Sequence, residues 1–153
     1  MPGYGNLTTV AGGIWWTYYS FNYTAPRSSL TLSFAVHGGP ASEATYLDNV
    51  SVVDTSAPSV QLLRNPSFEN STLAPTGWSS WCSSSCTKTG DGHSITNSGC
   101  QPLSGIYCII SQCKDGYNYL GQSFSAIIGR TYSISFWVFK GGGPAGKFYA
   151  NIL

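Results

Sequence analysis

Tyr132-Ser133-Ile134-Ser135-Phe136-Trp137-Val138 and Leu30-Thr31-Leu32-Ser33-Phe34-Ala35-Val36 are the stretches that decide the fold class. In both, large apolar residues alternate with small or polar ones. That two-residue period belongs to a strand with one face on a core and the other turned outward. The inward sets are Leu30, Leu32, Phe34, Val36 and Ile134, Phe136, Val138, which leaves Trp137 on an outer face. Lys147 to Leu153 reads as a further strand, with Phe148, Ala150 and Ile152 inward and Tyr149 and Asn151 outward. Tyr46 to Val53 breaks parity, because Leu47 and Val50 cannot both face the core on a regular pleat. A bulge, or a ligand, near Asp48 is the expected remedy.

Turn signals separate these runs. His37-Gly38-Gly39-Pro40, Gly90-Asp91-Gly92 and Gly141-Gly142-Gly143-Pro144 read as loops, and Asp54-Thr55-Ser56-Ala57-Pro58-Ser59 as a linker. Composition points the same way. Only 8% of the 153 residues are charged, against roughly 25% for an average domain. A chain rich in Ser, Thr, Gly, Tyr and Trp is a poor helix former and a good strand former. The expectation is an all-β antiparallel sandwich, and a helical bundle is excluded. Ser20-Phe21, Arg27 and Thr31 to Phe34 are echoed by Ser123-Phe124, Arg130 and Ser133 to Phe136. The echo reads as two generic hairpins of one sandwich rather than as tandem domains.

Net charge of +1 offers no basic field for nucleic acid and no polybasic stretch for a membrane surface. No apolar run approaches the ~18–20 residues of a spanning helix. Five cysteines crowd between Cys82 and Cys113, and Asn-x-Ser/Thr sequons stand at Asn6, Asn22, Asn49 and Asn70. Together they favour a secreted protein with candidate glycosylation sites. Met1 to Gly5 carry neither the basic nor the apolar region of a signal peptide, so the expectation is an internal piece of a longer secreted chain. Cys82–Cys86 and Cys108–Cys113 are short loops able to close locally, and they are the first candidates for disulfides. An odd cysteine is left over, and spacing alone does not fix the connectivity. The spacing also lacks the C-x2-C knuckle of a zinc site.

Asn65-Pro66-Ser67-Phe68-Glu69-Asn70 followed by Thr76-Gly77-Trp78 resembles the opening of a jelly-roll carbohydrate-binding module of the family 4, 9 and 22 kind, a galactose-binding-domain-like fold. Gln122-Ser123-Phe124 and Gly129 to Val138 resemble the central hairpin of that family, and Tyr46-Leu47-Asp48-Asn49-Val50-Ser51-Val52 its closing strand. The closing motif precedes the opening one. The chain therefore reads as a window cut out of phase from tandem modules: 1–55 the last third of one, 56–60 a linker, 61–153 the first two-thirds of the next. A hairpin through the linker would close the two parts into one circularly permuted sandwich and a compact monomer.

The resemblance implies a structural calcium shared by Asp48 of the closing strand and Glu69 of the opening strand. Calcium takes roughly six to eight hard oxygens, so two carboxylates and backbone carbonyls suffice. It also makes Trp78 a core residue and places a binding aromatic at Trp81. Trp137, Tyr149 and Asn151 join Trp81 as candidates because they occupy outward strand positions, where an aromatic ring can stack on a sugar and polar neighbours can read its hydroxyls. Trp15-Trp16 and Tyr18-Tyr19 straddle a strand, and the period does not say which of them face outward.

An enzyme needs a constellation, and the chain has six acids: Glu43, Asp48, Asp54, Glu69, Asp91 and Asp115. Asp48 and Glu69 alone sit in motifs, with structural roles there. The histidines, His37 and His93, lie in or beside glycine-rich loops, and no hydrolase or metalloprotease signature occurs. The sequence therefore reads as a non-catalytic, secreted module that binds carbohydrate and carries a structural calcium. The rival is an adhesive or structural β-sandwich repeat without a sugar site.

Overall fold

A computed structural model describes residues 5–39, 43–83, 86, 92–101, 105–143 and 145–153. Met1 to Tyr4, Pro40, Gly90, Asp91 and Pro144 lie outside the described residues. The described residues form ten strands: β1 (Thr8–Ala11), β2 (Ile14–Thr24), β3 (Ser29–His37), β4 (Thr45–Asp54), β5 (Ser79–Cys82), β6 (Gly92–Thr96), β7 (Cys108–Gln112), β8 (Tyr117–Ser125), β9 (Thr131–Lys140) and β10 (Lys147–Ile152). They make two five-stranded sheets, ordered β1-β10-β3-β8-β5 and β2-β9-β4-β7-β6. Every pairing is antiparallel. Every connection except the β6–β7 hairpin crosses from one sheet to the other, as a jelly roll requires. No helix among the described residues is long and apolar enough to cross a membrane.

The period-two reading of the core holds. Leu30, Leu32, Phe34, Val36, Ile134, Phe136, Val138, Phe148, Ala150 and Ile152 are all buried in one cluster. At its centre Phe136 meets Phe34 edge-on at 5.1 Å and Phe148 at 5.8 Å between ring centroids. The expected defect in β4 is present: its register against β9 shifts between Asp48 and Ser51, and Asn49 takes a φ of 47°. The bulge lets Leu47 and Val50 both reach the core, where they are 4% and 0% exposed. The echoed segments are corners rather than hairpins. β2–β3 and β8–β9 each cross between sheets and lie side by side, β3 against β8 and β2 against β9.

Strands from 1–55 and from 61–153 interleave in both sheets: β10 sits between β1 and β3, and β9 between β2 and β4. Residues 54–60 form the turn between the two stretches. Ala57 donates to the Asp54 carbonyl (2.9 Å), Val53 bridges antiparallel to Gln61, and the Val50 amide donates to the Pro66 carbonyl (2.9 Å). The opening motif is not a strand beyond that bridge. Asn65 and Phe68 adopt φ of 46° and 61°, so the chain coils. The Asn65 side chain holds the coil, donating to the Thr76 carbonyl (3.1 Å) and accepting from the Asn70 amide (3.1 Å). Phe68 and Trp78 pack in the core at 5.5 Å, and the Trp78 indole donates to the Asn65 carbonyl.

Candidate functional site

The outer face of the β1-β10-β3-β8-β5 sheet presents two of the four expected sugar-binding residues, Trp81 and Tyr149. β5 begins just after Gly77, whose φ of 86° brings the chain within contact of Arg64. Trp78 points into the core. Trp81, an odd number of residues later, therefore points out, and it is 48% exposed. Across the sheet, one rung reads Trp81, Tyr119, Ala35, Tyr149. The next reads Ser79, Gly121, Ser33, Asn151. Four strands in register put Trp81 about 14 Å from Tyr149, with the small residues Ala35, Gly121 and Ser33 as the floor between them.

Trp81 stacks on Tyr119 at 5.3 Å with planes 7° apart. Tyr119 continues to Tyr117 at 6.1 Å, Tyr117 to Tyr149 at 6.4 Å, and His37 lies 4.9 Å from Tyr117. Burial, then the neighbouring Tyr149 hydroxyl, raises the Tyr117 phenol above its ordinary range, so it stays a neutral hydrogen-bonding hydroxyl. Beside the stack Trp81 walls an open cavity of about 390 Å³ lined also by Thr31, Arg64, Ser79, Gly121 and Ser123. An aromatic wall with hydroxyls and one guanidinium around it is the chemistry that holds a sugar ring: stacking on its C–H face, hydrogen bonds to its hydroxyls.

Two expected members do not join this surface. Trp137 lies on the outer face of the other sheet, opposite Tyr18. Its strand follows a corner that changes sheet, which the period alone does not report. Asn151 is on the correct face but only 4% exposed. Its side chain donates to the Ser33 carbonyl (3.4 Å) and accepts from the Gly5 amide, so it builds the floor. Tyr117, Tyr119, His37 and Arg64 were not among the expected site residues. The run Tyr117-Asn118-Tyr119-Leu120 held the signal for the two tyrosines, since alternation alone places both on one face.

Asp48 is 1% exposed and its Oδ1 accepts from the Asn49 amide at 2.7 Å. Glu69 Oε1 accepts from the Ile106 and Tyr107 amides at 2.9 and 2.8 Å, tying the opening coil to the strand entering β7. The Val50–Pro66 bond brings the two motifs alongside. Among the described residues no three His, Cys, Asp or Glu side chains form a metal-holding group.

The disulfide differs from the local loops expected. Cys108 is bonded to Cys100, with Cα atoms 5.6 Å apart, and not to Cys113. The Cys82 and Cys86 sulfurs both donate to Asn118 Oδ1 at 2.8 Å. All four sequon asparagines are exposed, and the Asn6 amide also bonds Ile152 at 2.6 and 2.8 Å.

No protein-family model matches the chain, and neither a curated protein nor a solved structure gives a match to it.

Proposed function

We propose that the protein is a non-catalytic carbohydrate-binding module, and that glycan binds on the outer face of the β1-β10-β3-β8-β5 sheet. One observation carries the reading. Trp81 is half-exposed on an edge strand, braced from behind by a parallel Tyr119, and borders a cavity edged with Ser79, Thr31, Ser123 and Arg64. A half-exposed ring held in one orientation beside hydroxyls and a guanidinium is the arrangement on which a sugar face can stack. Three of the six acids are engaged elsewhere: Glu43 pairs with Lys140, Asp54 with Arg130, and Glu69 accepts two backbone amides. That supports a binding role over hydrolysis. The Cys100–Cys108 disulfide fits an oxidising, extracellular setting.

The test is a glycan array followed by calorimetry. Trp81→Ala should weaken the best ligand by ~1–3 kcal/mol while the melting temperature stays put. A lower melting temperature with unchanged binding would make Trp81 a packing residue and end the reading.

A structural calcium between Asp48 and Glu69 is part of the same proposal. Its support is a buried carboxylate at a strand bulge, lying beside the coil that holds Glu69. Asp48 and Glu69 would hold the ion, which would cross-link the opening and closing segments. Saturating calcium at a hundred times its Kd should add ~2.7 kcal/mol of stability. A melting curve indifferent to chelator removes the ion from the proposal.

A further inference from the structure

The opposite side of the sandwich carries a second aromatic surface. On the outer face of β2-β9-β4, Tyr18 stands against Trp137 with ring centroids 5.4 Å apart. A register shift between Ile14 and Thr17 sets two consecutive tryptophans against Phe139, Trp15 at 5.4 Å and Trp16 at 6.1 Å. Trp15 is 76% exposed and Tyr18 53%. Trp16 is anchored through its indole N–H to the Gly99 carbonyl at 3.2 Å.

Below the aromatics the outward positions are small and hydroxylic. Successive cross-strand pairs are Ser20 with Ser135, Asn22 with Ser133 and Thr24 with Thr131. Among the described residues, the acids and bases on β4 and at the β8–β9 corner beside it are Asp48, which is buried, and the paired Arg130 and Asp54 at 2.9 Å. From Tyr18 to Thr24 the tract runs roughly 20 Å.

We infer that this face is a second carbohydrate surface, and that its ligand is an extended, uncharged polysaccharide. The occupant follows from the chemistry. An acidic or basic partner finds no counter-charge here. A protein partner would want a continuous apolar centre with a polar rim, whereas here a block of rings adjoins a ladder of hydroxyls and one amide. A neutral glycan chain presents the matching alternation of C–H faces and hydroxyls along its length. The inference shares its ligand class with the first site but rests on different residues. With sites on both faces, one molecule bridges two chains.

The experiment uses protein made without N-glycosylation, so that Asn22 is bare. Depletion isotherms are measured on insoluble cellulose, chitin, mannan and β-1,3-glucan for four proteins: wild type, Trp81→Ala, Trp15→Ala/Tyr18→Ala, and the triple variant. Melting curves and light scattering accompany them. The expected result is that Trp15→Ala/Tyr18→Ala loses at least tenfold in affinity on one of these solids with unchanged melting and mass, and that only wild type aggregates soluble forms of that glycan. Unchanged isotherms for Trp15→Ala/Tyr18→Ala overturn the inference. So does a wild-type dimer that this substitution converts to a monomer without loss of glycan affinity, which would make a second copy the occupant. Loss of binding in Trp81→Ala alone refutes the second face and leaves the first site standing, and loss in Trp15→Ala/Tyr18→Ala alone does the reverse.

Discussion

Acid should destabilise this protein as pH falls from about 6.5 towards 4, through His93. The side chain is half-buried on β6, and both ring nitrogens are sealed from water with no hydrogen-bond partner among the described residues. Desolvation lowers its pKa from 6.5 to about 4, and the nearby Tyr119 backbone opposes this only weakly. Between those two values the unfolded chain binds a proton that the native one refuses, so stability falls as pH drops through the window. The gap corresponds to about 3 kcal/mol in full, of which about 2 kcal/mol is lost by pH 5. The two carboxylates with lowered pKa values, Asp54 and Glu43, do not oppose this trend over that range. Asp54 is held at about 2, chiefly by the Ser56 hydroxyl and then Arg130, and Glu43 is lowered chiefly by the Gly143 amide. The assay is the urea midpoint at pH 7, 6 and 5. With a denaturant slope typical of this size, the midpoint should fall by about 1 M. His93→Gln should flatten the dependence. A wild-type midpoint constant from pH 7 to 5, or an unchanged slope in His93→Gln, would refute the desolvation argument.

Two other substitutions test the framework. Lys140 is 1% exposed, and its ammonium donates to Glu43 at 3.3 Å and to the Gly141 and Gly143 carbonyls at 3.3 and 3.2 Å. Lys140→Met strands all three acceptors and should cost ~3–5 kcal/mol, read as a fall in Tm of about 10 °C or more. Its acid-side stability curve below pH 4.5 should also flatten, because Glu43 loses one of the partners that keep it ionised. Phe136→Ala empties the centre of the core and should cost ~3–5 kcal/mol by chemical denaturation, whatever ligand is present.

The core was legible because burial in a sandwich repeats every second residue, and the chain obeys that period in β3, β9 and β10. The bulge in β4 was legible as a broken parity around Asp48. What the sequence withheld were facts of sheet membership and distant covering. Trp137 and Tyr149 look alike in sequence, yet β9 and β10 lie in different sheets, so their outward faces point in opposite directions. Asn151 is outward by parity, but the amide of Gly5, which is 146 positions away, closes over it. Asn65 and Phe68 break the strand expected of their motif by turning left-handed. Cys100 finds Cys108 across the β6–β7 connection because those strands pair, which spacing could not show.

The same logic explains where chemistry can reside. Inward positions are fixed by packing: Phe34, Phe136 and Phe148 leave one another no room to vary. Outward positions carry no such demand, so a large aromatic there reflects some other requirement. The floor beneath Trp81 bears this out. A Cβ on Gly121 would make ordinary contacts, 3.5 Å to Trp81 Cη2 and 3.4 Å to the Leu32 carbonyl oxygen, so the indole lies directly over this position. Tyr119 lies parallel beneath the ring, 5.3 Å between centroids and 7° between planes. Ala35, Ser33 and Gly121 keep the strip beside these rings low, and that shape is what the proposed glycan surface rests on.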